Sequence, residues 1–314
     1  MVRHFLEVTD LGAVDLLTVL DLAERPIDVV PRVLDGKGVA LLFEKPSART
    51  RHSTEMAVVQ LGGHPVTARS DEVGFDVRET VEDVTRTLQC YHAAICARVF
   101  EHSKLERMAA VASVPIVNML SDHEHPLQAL AELLTLRQAF GHLRDLRIAW
   151  IGDFSNVARS LAFGAITAGA GFVVSTPPDY GPSALDHDRA QMLGAAIEVH
   201  HRPADAVVDA DCVVTDAWYS MGQEAEREVR AKAFEGFAVT PALMSFAKDE
   251  AVFLHCLPAH RGQEATNEVL DGPQSRIWSE AENRMHVARA LLAFLLGERA
   301  ADAGAEPVAG TGER

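Results

Sequence analysis

The run Ser47-Ala48-Arg49-Thr50-Arg51 places two hydroxyls and two guanidiniums in one turn, just after the apolar stretch 39–43 and before a helical pattern. Backbone N–H groups at a helix N-terminus are unpaired and carry the positive end of the helix dipole, so this handover from strand to helix suits a phosphate. Arg98 follows the apolar stretch 93–97, at the carboxyl end of a predicted strand, where open α/β sheets place their ligands; alone it reads more readily as a surface arginine, and only its company points to a site. His125-Pro126-Leu127-Gln128 opens a further helix, with Pro126 suited to the first helical position. His125 and Gln128 then project from the same helix end and can donate two hydrogen bonds to one carbonyl oxygen. The plainer alternative is a helix cap beside a solvated glutamine. Asp122 and His123 read as cap and surface residues.

The second half carries its own candidates. Gly152-Asp153-Phe154-Ser155-Asn156 ends a strand and starts a helix, but it lacks the repeated glycines a pyrophosphate needs, which argues against dinucleotide binding. Asn156 is either an amide aimed at a small polar ligand or a cap. Asp216 follows the predicted strand 212–215 and can pair with an ammonium, while Ser220 and Met221 lie on the loop beyond it. His255-Cys256-Leu257-Pro258-Ala259-His260-Arg261 packs two imidazoles, a thiol and a guanidinium into one turn. No Cys-His-Asn arrangement accompanies Cys256, so a non-covalent contact or a buried thiol is favoured over a nucleophile. Arg284 near the start of the last helix either points into a cleft or pairs with a surface glutamate.

These residues need a frame to converge on. After a first helix at 10–23, β-rich stretches alternate with helices: 39–43, 65–68, 93–97 and 114–118, then 146–151, 172–175, 196–200, 212–215 and 251–254. Such alternation predicts parallel sheets covered by helices, an α/β fold in two domains. The expected division is residues 1–140, with a helix at 279–298 packing back on them, and residues 141–278. Long helices at 126–139 and 280–296 would join the two, with the site in the cleft between them. The small polar stretch 300–314 reads as a disordered tail.

Composition excludes several classes. The formal charge of −16 opposes general binding to nucleic acid or anionic membrane, so an anionic substrate must be captured by local arginines. The apolar spans are too short to cross a bilayer and the first residues do not resemble a secretory leader, which predicts a cytoplasmic protein. The four cysteines are scattered without metal-ligand spacing, predicting reduced thiols and no metal centre.

Taken in order, the motifs resemble the aspartate/ornithine carbamoyltransferase family over residues 5–296. Phe43-Glu44-Lys45-Pro46-Ser47-Ala48-Arg49-Thr50-Arg51 and His125-Pro126-Leu127-Gln128 are similar to its carbamoyl-phosphate motifs. Asp216 with Ser220-Met221-Gly222, and His255-Cys256-Leu257-Pro258, resemble the pair that marks the ornithine branch. The resemblance implies transfer of a carbamoyl group from carbamoyl phosphate to the δ-amine of L-ornithine, giving citrulline and phosphate, without metal or cofactor. It implies that Ser47, Ala48, Arg49, Thr50 and Arg98 hold the phosphate, while His125, Gln128, Thr50 and Arg98 polarise the carbamoyl group. Asn156, Asp216, Ser220 and Met221 would bind ornithine, with Cys256 and Leu257 beside the reacting amine and Arg284 closing on the carbamoyl oxygen. A homotrimer, or a multiple of one, is implied as well.

Three departures stand out. Ala48 replaces a usual hydroxyl residue, Ser155 replaces the first asparagine of a usual pair, and the acidic segment 70–78 lacks the usual Gln or His near Gly74. They predict weaker carbamoyl-phosphate binding than in a family member with the full pattern. They also leave two other expectations open: a different amine acceptor, or a catalytically weak paralogue that binds carbamoyl phosphate.

Overall fold

The computed structural model describes residues 2–219 and 226–303. Strands β1 (Gly38–Phe43), β2 (His64–Arg69), β3 (His92–Arg98) and β4 (Ile116–Leu120) form one sheet in the order β2-β1-β3-β4. Strands β5 (Arg147–Ile151), β6 (Gly171–Ser175), β7 (Ile197–His200), β8 (Cys212–Thr215) and β9 (Val252–His255) form a second, in the order β7-β6-β5-β8-β9. Every pairing is parallel. All nine expected strands form, with ends shifted by up to two residues. The central ones are buried on both faces, as the unbroken apolar runs of β1 and β8 require.

In each sheet the strand order reverses once, between β1 and β3 and between β5 and β8. The loops leaving neighbouring strands diverge there and open a crevice at the carboxyl ends. Ser47 and Arg98 lie at the first reversal, Asn156 and Asp216 at the second.

The first helix is Ala13–Glu24, later than expected, because the Asp10 carboxylate accepts from the N–H groups of Leu6 and Glu7 at 2.6 and 2.9 Å and holds a separate 3-10 turn. The helix Pro126–Phe140 is buried through its first eleven residues because it lies between the two sheets. It stops at Gly141, whose φ of 80° is a left-handed cap. The last helix is longer than expected, Ile277–Ala303, since Ala300, Ala301 and Ala303 favour helix and carry it past Gly297. It packs against the helices Ala13–Glu24, Ala48–Gln60 and Pro126–Phe140. The expected disordered tail is thus helical through Ala303, and residues 304–314 lie outside the described residues.

One hydrophobic cluster runs from Leu41 and Phe43 through Leu130 and Leu134 to Leu161, Trp150 and Val174, so both sheets share a core across the central helices. Separate clusters cover their outer faces. Among the described residues, no helix is long and apolar enough to cross a membrane.

Candidate active site

Ser47 caps the helix Ala48–Gln60: its Oγ accepts from the Thr50 N–H at 3.3 Å and donates to Thr50 Oγ1 at 3.1 Å. That hydroxyl, almost fully buried, also accepts from Arg98 Nη1 at 3.3 Å and from Arg284 Nη2 at 3.2 Å. The β3–β4 register shifts between Ala97 and Arg98, the kind of irregularity that re-aims a side chain beside a functional site. Two guanidiniums far apart in sequence therefore meet at one helix N-terminus. Burial, then repulsion from Arg284 and Arg49, brings the Arg98 pKa down to about 10, and burial lowers that of Arg284. Both are still charged at neutral pH, and an anion would relieve their repulsion. Arg49 and Ala48 are exposed in the first turn beside them.

His125 is buried at the mouth of its helix, its N–H donating to Ser160 Oγ at 2.8 Å. Burial, followed by Arg284 and Arg98, pushes its pKa well below the ordinary imidazole range, so the ring is neutral and can donate one N–H. His125 Nδ1, Arg98 Nε and Arg284 Nε are buried without hydrogen-bond partners among the described residues.

Gln128 departs from expectation. Its Nε2 donates to Glu132 Oε1 at 3.2 Å and to Glu280 Oε1 at 2.7 Å, using both amide protons, while its Oε1 accepts from Arg284 Nη1 at 2.5 Å. It therefore does not donate alongside His125 here; it presents a carbonyl oxygen to the guanidinium cluster.

On the second sheet, Asp216 Oδ1 accepts from the Ala217 N–H at 2.7 Å and from the Cys256 thiol at 3.2 Å. Burial, then Asp216, Glu132 and Glu280, raises the Cys256 pKa well above that of a free thiol. Cys256 is thus a protonated donor and not a nucleophile. His255 Nδ1 accepts from the Leu257 N–H at 2.9 Å, and its Nε2 faces Glu264 Oε1 at 3.2 Å. Burial pulls its pKa down, but Glu264, Asp216 and Glu280 together leave it raised. Leu257, at φ 60°, holds a left-handed conformation that branched residues avoid, a strain that persists only where surroundings impose it. Asn156 is not a cap: its Nδ2 donates to the Ser121 carbonyl at 2.6 Å, joining its helix to the loop that carries His125.

Asp216, His255 and Cys256 offer ligand atoms within 4.8 Å of one another, as do Glu7, His123 and Glu124. In the first group both ring nitrogens of His255 are engaged and the thiol holds its proton. In the second, Glu7 is paired with Arg189 and Glu124 accepts from Ser160 Oγ. Two surface cavities, of about 500 and 640 Å³, lie elsewhere, beside Met244 and Pro273 and beside Phe140 and Asp145.

Of the residues singled out from sequence, Ser47, Thr50, Arg98, Gln128 and Arg284 form one hydrogen-bonded group, and Asp216 with Cys256 a second. Arg49 adds like charge beside both arginines, burial and then the two arginines lower the pKa of His125, and Cys256 lies close enough to be coupled to both. Ser220 and Met221 lie outside the described residues. In the segment 70–78, Asp76 is tied by both carboxylate oxygens to Arg107, at 2.8 and 3.0 Å. Sequence reasoning missed Ser160, Glu132, Glu264 and Glu280 as site supports. Only Glu132 left a signal, sitting four residues after Gln128 on the same helix face.

Residues 3–138 match the family model described as the aspartate/ornithine carbamoyltransferase carbamoyl-P binding domain, and residues 144–295 match that for the Asp/Orn binding domain. The chain is 47% identical over 296 residues to the ornithine carbamoyltransferase of Thermus thermophilus, covering 94% of this chain and 97% of the relative. It is 44% identical over 306 residues to that of Hyperthermus butylicus, with the same coverage. The solved ornithine carbamoyltransferase of Pyrococcus furiosus superposes with a TM-score of 0.89 at 41% identity, covering 94% of this chain and 97% of that one. With both halves matched and the arginine cluster facing an Asp–Cys pair, the chain belongs to the aspartate/ornithine carbamoyltransferase family.

Proposed function

We propose that the protein transfers the carbamoyl group of carbamoyl phosphate to the δ-amine of L-ornithine, giving L-citrulline and phosphate, in the biosynthetic direction that feeds arginine metabolism. The observation that carries this reading is the meeting of Arg98 and Arg284 on Thr50 Oγ1, with Cys256 close enough to both guanidiniums to be coupled to them electrostatically while its thiol donates to Asp216 Oδ1 at 3.2 Å. A relative from Pyrococcus furiosus, described as an anabolic ornithine carbamoyltransferase, supports the direction.

In this reading the phosphate rests on the first turn of the helix Ala48–Gln60, held by Ser47, Arg49, Thr50 and Arg98 and by the backbone N–H of Ala48. His125, Arg98 and Arg284 converge on the carbamoyl carbonyl oxygen. As the amine adds, negative charge grows on that oxygen and then on the departing phosphate, so donors fixed beforehand stabilise the transition state more than the ground state. A neutral His125 suits the task, because it donates without adding a third positive charge. Gln128 offers its carbonyl oxygen to the carbamoyl N–H₂. Leu257 and Cys256 pack beside the reacting carbon, and Asn156, Asp216, Ser220 and Met221 hold ornithine. Only a deprotonated amine can attack; the Asp216 carboxylate, which accepts from the Cys256 thiol, orients it and offsets the positive charge on its nitrogen as the C–N bond forms, and the C–O bond to phosphate then breaks with the nitrogen's proton leaving on the phosphate.

Residues 1–140 with the returning last helix would form the carbamoyl-phosphate domain and residues 141–278 the ornithine domain. The active form would be a cytoplasmic homotrimer or a multiple of one, which sedimentation equilibrium checks. A citrulline-forming assay with purified protein, carbamoyl phosphate and a panel of ornithine, N-acetylornithine and putrescine tests the main reading. Turnover with ornithine, abolished by His125→Ala, supports it; turnover only with another amine, or none at all, overturns it.

A further inference from the structure

Glu280 lies in the first turns of the last helix and is 1% exposed. Its two oxygens accept from opposite halves of the molecule: Oε1 from Gln128 Nε2 at 2.7 Å, and Oε2 from the His255 backbone N–H at 3.0 Å, one residue before Cys256. One turn further along, Arg284 donates to Gln128 Oε1 and Thr50 Oγ1. A terminal amide turns over unless its partners forbid it, and here a carboxylate on the nitrogen side and a guanidinium on the oxygen side do so.

We propose that Glu280 is a positioning residue for carbamoyl transfer: it holds the Gln128 carbonyl oxygen toward Arg284 and ties that amide to the backbone preceding Cys256, keeping the two substrate sides in register. This rests on the carbamoyl-transfer reading. The position requires a carboxylate because both partners are donors. A glutamine there has one acceptor oxygen, and its own N–H₂ would face either the Gln128 amide protons or the His255 N–H.

Burial, helped by Asp216, raises the Glu280 pKa to about 7, while His255 and Arg284 favour its ionised form and keep the rise from going further. Glu132 accepts a bond from Gln128 on one oxygen, and its Oε2 has no partner among the described residues. Burial and then the nearby Glu280 push the Glu132 pKa well up, so of the two carboxyls Glu132 holds its proton the more firmly.

Steady-state citrulline formation and urea unfolding of Glu280→Gln, Gln128→Ala and the double variant test this. A folded Glu280→Gln should lose about 10²-fold in kcat/KM for carbamoyl phosphate, the scale of a misplacement of about 1 Å. In the Gln128→Ala background the same change should cost at most about tenfold, because residues acting as a unit are not additive. Should Glu280→Gln fail to fold, Glu280→Asp carries the test, keeping both acceptors one methylene short and losing about tenfold or more. Glu282→Gln, on the exposed face, should match wild type. Wild-type kinetics in folded Glu280→Gln or Glu280→Asp, or an undiminished loss in the double variant, overturns the positioning role while leaving the reaction in place. A wild-type protein that makes no citrulline removes the reaction and this inference together.

Discussion

The crevices of the two sheets are built from opposite charge. At the β1–β3 reversal Arg98 and Arg284 meet on Thr50 with Arg49 near enough to repel them, and burial together with the charge of Arg284 and Arg98 keeps His125 neutral. At the β5–β8 reversal Asp216, a protonated thiol and an imidazole paired with Glu264 satisfy one another. One side is strained by like charges until an anion reaches it; the other is internally settled. The same strand-order reversal thus yields a site that gains electrostatically from its ligand and a site that must exchange existing bonds for it. The first should depend steeply on single charges, the second less so.

Removing Arg98 is the strongest way to break the contrast. Arg98→Ala should reduce kcat/KM for carbamoyl phosphate by about 10³-fold, the cost of a lost oxyanion donor, and a loss under tenfold in citrulline assays would refute the arginine-centred reading. The next largest effect is in stability. Burial raises the Glu124 carboxyl, beside His125, to about 7, although Ser160 Oγ donates to it. The native state then binds more protons than the unfolded state between pH ~4.5 and ~7, so stability falls through that window and levels above it. The penalty approaches about 3 kcal/mol, and Glu124→Gln should remove it. Urea midpoints of wild type and variant should diverge as pH rises from 5 to 8; parallel curves would count against a buried, protonated Glu124.

Asp216→Asn probes the settled side. Its kcat/KM for ornithine should fall by about 10²-fold or less, near the upper range of one charge-assisted hydrogen bond, with the KM for carbamoyl phosphate unchanged. If the two substrates suffered equally, the division of labour between the crevices would be wrong. The smallest effect belongs to Ala48→Ser, which adds a hydroxyl in the exposed first turn of the phosphate helix. One added hydrogen bond is worth about 0.5–1.5 kcal/mol, so KM for carbamoyl phosphate should drop by roughly two- to tenfold. An unchanged KM would show that residue 48 contributes through its backbone alone.

Local sequence determined much of this protein. Apolar runs fixed nine strands because a strand buried on both faces has little other composition open to it, and Ser47 and Pro126 marked two helix starts through capping chemistry. The same local reading placed the first helix start too early and ended the last helix too soon, since the Asp10 carboxylate and the later alanines act on single turns. Tertiary structure alone decided which groups share a proton, a bond or a repulsion. Arg98 and Arg284 stand on one hydroxyl though 186 residues separate them (284 − 98). Gln128 turned from donor to acceptor because Glu132 and Glu280 claim both its protons, one from its own helix and one from the far end of the chain. Hydrogen-bond direction and pKa depend on distances of a few ångströms and on exclusion of water; chain order encodes neither until the sheets and the last helix bring those groups together.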